Sequence, residues 1–302
     1  MFALWIPITI AAAFLQNLRS ALQKSIKGRL STAGAAYVRF FYAWPFALLY
    51  TWSLHEFAGY ALPEPNLKFL LYCLLGGLSQ ILFTVVLLWM FSFRSFAVGT
   101  TFSKLEVILI AVLGAVLLGD TVSPLAALAI LLGAIGTVLL SLQETKLTPA
   151  GLLRGMGEKV TLVGLLCAAL LGASVVFFRG AALALNEPNF IMAASYALSI
   201  ALVLQTLIMG AWFVLKDRAE LKRVVIEWRR ALPIGLSGMA CSVCWFTAFT
   251  LQNAAYVRAL GQVELLFTIG ASILFFKEKI TRTEFWAIAL IVFAIILILL
   301  AN

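Results

Sequence analysis

The sequence predicts an all-α integral membrane protein with ten transmembrane helices arranged as two inverted five-helix repeats. Three observations carry that expectation. First, 63% of the 302 residues are hydrophobic and 12% are charged, whereas a soluble chain carries about a quarter of its residues charged. Mean hydropathy is +1.05. Second, the apolar residues fall into ten runs, each long enough to cross a bilayer. Third, the chain repeats itself at an offset of 158 residues. The composition excludes a cytosolic enzyme, a nucleic-acid module and a disulfide-built secreted domain.

The runs cover 3–23, 33–54, 67–91, 95–118, 123–142, 160–183, 189–215, 230–251, 254–276 and 282–301. Between them lie His55 to Pro65, Asp120 to Pro124, Asn186-Glu187-Pro188 and the charged stretch Lys216 to Arg230. Strand-like alternation is absent, and backbone polar groups in lipid must be paired within their own segment, so the runs read as helices. The first run is no cleaved signal peptide, because its basic residues Arg19, Lys24, Lys27 and Arg29 follow the apolar stretch. Later connections on that same side carry Arg94, then Lys146, Arg154 and Lys159, then six Lys and Arg residues between Lys216 and Arg230, then Lys277, Lys279 and Arg282. The opposite side offers little beyond Lys68. The positive-inside rule places the basic loops in the cytoplasm of a bacterial-type inner membrane and both termini outside. Most of the formal charge of +9 is thus a topology signal.

Sliding the chain by 158 residues lays Gly77-Leu78-Ser79 on Gly235-Leu236-Ser237, Phe91 on Phe249, Ala97 on Ala255, Glu106 on Glu264 and Asp120 on Glu278. Two halves follow, 1–142 and 160–302, joined by a polar linker over 143–159. Five helices per half is an odd number, so the second half enters the membrane inverted. Transporters with such repeats place their site near the midplane, at the repeat interface.

On these residues the chain resembles the drug/metabolite transporter superfamily, in its ten-helix EamA-type branch, over nearly its whole length. The family's fourth helix in each half carries an acid and ends in a short acidic turn. Here those read Lys104-Leu105-Glu106 through Leu118-Gly119-Asp120, and Val263-Glu264 through Phe276-Lys277-Glu278. Val107 and Leu265 stand where the family usually has proline, and only the first half keeps glycine before the turn acid. Arg39, in Arg39-Phe40-Phe41, matches an arginine frequent early in the family's second helix. Many members keep their termini in the cytoplasm, opposite to the charge bias of this chain. The resemblance implies a secondary transporter of a small polar metabolite, an amino acid or related organic anion or zwitterion. It implies efflux by alternating access between the halves. The rivals are a multidrug or organic-cation exporter, which would want a net negative cavity, and a structural membrane subunit, which would not need an inverted repeat with acids at matching depth.

The residues singled out for function are ionisable groups inside spans, each costing a few kcal/mol near the bilayer centre unless paired or wet. They are Arg19, Arg39, Lys104, Glu106, Arg179, Arg258 and Glu264, five cations against two anions. Facing one cavity, they would leave positive charge over for an anionic or zwitterionic ligand. Arg19 and Arg179, near helix ends, read instead as snorkelling to an interface. Lys104 and Glu106, two residues apart on one helix, project to nearly opposite sides. Gln262 is the repeat mate of Lys104 and lies one turn after Arg258. The substrate-binding candidates are Arg39, Trp44, Lys104, Glu106, Arg258, Gln262, Glu264 and Asn17. The plainer alternative is a structural ion pair for the charged set, and interhelical hydrogen bonding for Gln16, Asn17 and Gln23. Glu106 and Glu264 are the candidate proton carriers.

Cys73, Cys167, Cys241 and Cys244 sit in apolar runs with no second set of metal ligands, and the single His55 lies in a loop. No phosphate-binding glycine loop is present. The expected partners are therefore the lipid bilayer and a small-molecule substrate, without enzymatic activity, cofactor, metal or nucleic acid.

Overall fold

A computed structural model describes residues 3–24, 26, 28–90, 93, 96–144, 148–276 and 281–301. Among the described residues the regular structure is entirely helical. The first half contributes α1 (Trp5–Lys24), α2 (Thr32–Phe41), α3 (Trp44–Ala58), α4 (Leu67–Met90), α5 (Phe96–Ser103), α6 (Glu106–Leu118) and α7 (Pro124–Glu144). After α8 (Pro149–Gly155) come α9 (Lys159–Ala184), α10 (Phe190–Lys216), α11 (Arg218–Ile226), α12 (Trp228–Leu251), α13 (Ala254–Gly261), α14 (Val263–Phe276) and α15 (Arg282–Leu300). By length and apolarity, α4, α7, α9, α10, α12 and α15 can each cross a membrane, and α6 is a shorter apolar helix.

Local sequence explains where these helices stop and start. Ser31, Asn189, Asp217 and Thr281 accept backbone N–H groups at the starts of α2, α10, α11 and α15, the last as a full capping box with Glu284. Gly59 and Gly119 end α3 and α6 with φ of +70° and +71°, a left-handed turn that glycine adopts without penalty.

Three spans expected to be continuous are broken. The run 33–54 divides into α2 and α3 because Pro45 has no N–H to give Phe41 and its ring crowds that carbonyl. The Ala43 N–H bonds Phe40 O instead, at 3.1 Å. The run 95–118 divides at Lys104-Leu105, where the N–H groups reach back three residues, to Thr101 O at 3.2 Å and Phe102 O at 3.1 Å. The run 254–276 divides at Gln262, whose N–H likewise reaches only to Ala259 O, at 3.3 Å. Lys104 and Gln262 are separated by the repeat offset, so the two breaks fall at equivalent positions. The linker over 143–159 and the stretch 216–230 also gain structure that hydropathy did not predict: α8, capped by Thr148, and α11. The second acidic turn expected at Lys277-Glu278 lies outside the described residues, as do Lys27, Phe91, Arg94 and Lys146.

The helices gather into two compact units, Met1–Ile81 with Phe177–Gln252, and Leu82–Val176 with Asn253–Asn302. Each unit draws on both halves of the sequence. In the first, α1 packs along α12, and α10 packs against α2, α3 and α12. Phe69, Ile26, Phe213 and Ile234 are fully buried there. The repeated Gly-Leu-Ser motif serves close packing in both copies. A Cβ on Gly77 would lie 3.2 Å from Gln205 Cγ, and one on Gly235 would lie 2.7 Å from the Tyr42 backbone carbon. At one end of this unit Arg29 and Arg230 pair with Glu227 at 3.2 and 3.1 Å. Glu220 pairs with Arg223 at 3.0 Å and accepts the Ser31 N–H at 2.5 Å. The hydrogen bond from Arg230, and then that from Arg29, holds the Glu227 carboxyl below the usual carboxylate range. Elsewhere in the unit, Asn66 Nδ2 donates to Ala184 O at 2.5 Å.

In the second unit α7 and α15 run together, around Leu140, Ala287 and Ile291. Gly136 permits that approach, since a Cβ there would sit 2.8 Å from Ile291 Cγ1. α13 packs on α6 and α7. Asn253 Nδ2 donates to Thr121 O and Tyr256 hydrogen-bonds Ser123 Oγ, both at 3.2 Å, which ties the start of α13 to the turn after α6.

Candidate functional site

In the second unit, the helix breaks determine which charges the interior tolerates. α5 ends just before Lys104 and α6 starts at Glu106; α13 carries Arg258 in its last turn and α14 carries Glu264 in its first. Each base therefore sits at the negative end of a half-helix and each acid at a positive end, the arrangement the peptide dipoles favour. α6 has no side-chain N-cap, which leaves the Glu106 carboxylate as the charge complementing that end. Across the break, Ser103 Oγ donates to Thr100 O at 2.7 Å, the carbonyl an unbroken helix would give to the Lys104 N–H.

These residues line one cavity of about 50 Å³: Lys104, Glu106, Val107, Thr137, Arg258, Gly261, Gln262, Glu264 and Leu265. Arg258 Nη2 donates to Glu106 Oε1 in an ion pair joining α13 to α6, with side chains 14% and 13% exposed. The cavity is electrically balanced, two bases against two acids. Gln262 is 7% exposed, and neither its amide nitrogen nor its amide oxygen has a hydrogen-bond partner among the described residues. Its Oε1 lies against Gly133, where a Cβ would come within 2.6 Å. An unmade hydrogen bond at such a group costs about 1–3 kcal/mol, so this amide is an acceptor and donor held ready for something else.

A second cavity, of about 30 Å³, lies in the first unit, lined by Arg19, Arg39, Phe40, Gln80, Phe178, Leu198, Ala201, Leu202, Gln205, Gly238, Ser242 and Phe246. Gln205 is 1% exposed and donates through Nε2 to Gln80 Oε1 at 2.7 Å. The Arg39 guanidinium lies 5.0 Å from the centroid of the Phe40 ring.

The cations therefore do not face one cavity. Lys104 and Arg258 share theirs with Glu106 and Glu264; Arg19 and Arg39 share another with glutamines. Neither arginine read as snorkelling does so by these contacts. Arg19 lines a cavity, and Arg179 donates to Phe249 O in the last turn of α12 and to the O of Gln252 just beyond it. The opposite-sides reading of Lys104 and Glu106 assumed one continuous helix; with the break between them, both line the same cavity. Trp44 packs at the edge of the apolar core of the first unit, and Asn17 lies on α1; neither lines either cavity. The amides of α1 behave largely as the plainer reading expected. Gln16 accepts from Trp245 Nε1 at 3.0 Å and Gln23 donates to Ala35 O at 2.8 Å. Sequence reasoning missed Gln80, Gln205 and Ser242. The available signal was polarity inside apolar runs, which it pursued only for charges.

Six helices long and apolar enough to cross a bilayer, among the described residues, mark a multi-pass membrane protein. The sequence profile of the EamA-like transporter family matches residues 159–300. That stretch lies in the second half of the chain, and over it the chain is similar to that family. No curated protein matches the sequence. Among solved structures, one described simply as the crystal structure of a protein aligns over 100% of this chain and 99% of its own, with TM-score 0.74 at 17% identity. At that identity the likeness is one of fold.

Proposed function

We propose that the protein is a secondary transporter that exports a small polar metabolite, an amino acid or related zwitterion, by alternating access. The observation that carries this reading is the balanced cavity of Lys104, Glu106, Arg258 and Glu264 around the Gln262 amide, which has no partner among the described residues. A zwitterion brings one charge of each sign, so it can replace the Arg258–Glu106 pair without leaving a buried charge uncompensated. Its carboxylate takes Lys104 and Arg258, its ammonium takes the acids, and Gln262 supplies the missing donor and acceptor. A monovalent organic cation would leave the cavity with one uncompensated positive charge, which disfavours the drug-exporter reading. Glu106 and Glu264 are the candidate carriers of a coupled proton.

The inverted ten-crossing plan belongs to the same proposal. The six long helices, α1, and the three broken pairs α2–α3, α5–α6 and α13–α14 make ten crossings. The breaks at repeat-equivalent positions and the shared packing role of Gly77 and Gly235 support two inverted halves. Side-to-side parity agrees: Arg29 meets Glu227, and Asn66 meets Ala184, each bond joining connections that ten crossings put on the same side.

The test is reconstitution into liposomes loaded with single amino acids, with and without a pH gradient. Counterflow of at least one amino acid, lost on Arg258→Gln, is the expected result; counterflow of organic cations alone would overturn the substrate class. Glu264→Gln is expected to abolish acceleration by the pH gradient while leaving exchange. Gradient-driven flux surviving in both Glu264→Gln and Glu106→Gln would remove these acids from coupling.

A further inference from the structure

We propose that the cavity between Arg19 and Arg39 is a binding site for one small anionic group, distinct from the charge-balanced cavity. Neither arginine can relieve its burial by losing a proton, since a guanidinium stays charged in proteins. Both line a space of about 30 Å³ with no carboxylate among the described residues of its walls, room for a water or two. Two like charges facing so small a space repel each other, and neutral water compensates them poorly. Arg19 Nε is buried and makes no hydrogen bond among the described residues, so a donor is already oriented with nothing to receive it.

The remaining wall suits an anion as well. The Gln205–Gln80 hydrogen bond fixes two amides at the cavity, and the Ser242 hydroxyl adds a rotatable donor. The repeat offset lays Arg19 on Phe177 and Arg39 on Ala197. The pair is therefore no product of the internal duplication, and it has no counterpart among the repeat-matched charges Glu106 and Glu264. Volume sets the ligand class: a halide or a single carboxylate head fits, and a bulky polyol acid does not.

The source of that group is either a free inorganic anion or the carboxylate of a cargo molecule. The inference stands apart from the transport reading, because its readout is binding to the purified protein. The melting midpoint of the full chain in detergent is followed at constant sodium concentration while gluconate is replaced by chloride, bromide or formate. A saturable rise of about 3–6 °C with the three small anions is expected. The rise should vanish in Arg19→Gln and in Arg39→Gln and persist in Lys68→Gln, which removes a charge outside the cavity. Should either arginine variant fail to fold, bromide-soaked crystals of the natural chain keep the test open, with an anomalous peak expected between the two guanidinium groups. Glycine displacing that bromide assigns the site to a cargo carboxylate; bromide persisting beside glycine assigns it to an inorganic anion; the anion site stands in both cases. A midpoint blind to anion identity, a response unchanged in both arginine variants, or crystals with no bromide at the pair would overturn it.

Discussion

At the scale of single residues, Gln262 makes the sharpest statement about stability and function pulling apart. Its amide is buried with neither atom bonded among the described residues, a cost of about 1–3 kcal/mol that an apolar side chain of similar size removes. Gln262→Leu is therefore expected to raise the unfolding midpoint of the ligand-free protein in detergent while abolishing amino-acid counterflow. A lowered midpoint would show that the amide is already satisfied. The Glu106–Arg258 pair points the other way. Glu106→Gln leaves Arg258 charged and uncompensated, and about 3 kcal/mol of stability should be lost. Adding Arg258→Met should restore more than half of it, read as a double-mutant cycle from denaturant unfolding. Five of the residues lining this cavity, Lys104, Glu106, Arg258, Gln262 and Glu264, stood out in the sequence because each is polar in an apolar run and most fall at the repeat offset. The glutamines of the other cavity were not. A neutral amide in a membrane helix carries no cost that demands a partner of opposite sign, so Gln80 and Gln205 gave no hint of meeting Arg19 and Arg39.

At the scale of helices, the sequence showed where apolar helices run but only partly where they break. The α2–α3 break has a written cause in Pro45. The breaks at Lys104-Leu105 and Gln262 have none, for neither proline nor glycine stands at the switch, although Gly261 immediately precedes the second. What holds them is tertiary: the Ser103 hydroxyl on Thr100 O, the Arg258–Glu106 pair, and Gln262 seated against Gly133. Hydropathy sees none of these. The end of α12 is a similar case. Arg179 lies on α9, seventy residues earlier than Phe249, and replaces the missing capping side chain there by donating to a carbonyl of the last turn and to that of Gln252 just beyond it. Arg179→Met keeps the apolar stem and removes those charge-assisted bonds. A loss of about 2 kcal/mol is expected, with faster hydrogen exchange confined to the amides around Gln252 to Ala255. Unchanged exchange there would mean that α12 ends without help from Arg179.

At the scale of the whole molecule, hydropathy predicted the membrane-spanning helices, and the resemblance carried by the acid-bearing fourth helices and Arg39 pointed to the family whose profile matches residues 159–300. Orientation rests on charge alone, and it is the property most directly open to test. The basic loops include the end where Arg29, Arg223 and Arg230 meet Glu220 and Glu227. Holding these groups in the cytoplasm costs least, because moving dense positive charge across the bilayer during insertion is what the positive-inside bias reflects. The opposite side has Glu56, Glu64 and Glu187 and only Lys68 as its base. In a background with all four cysteines replaced, Glu64→Cys and Lys222→Cys place single thiols on exposed residues of the two sides. A membrane-impermeant maleimide applied to intact spheroplasts is expected to label Glu64→Cys at once and Lys222→Cys only after permeabilisation. The reverse pattern would turn the protein over in the membrane and put its termini in the cytoplasm. Equal labelling of both sites would break the crossing parity itself, and with it the inverted repeat.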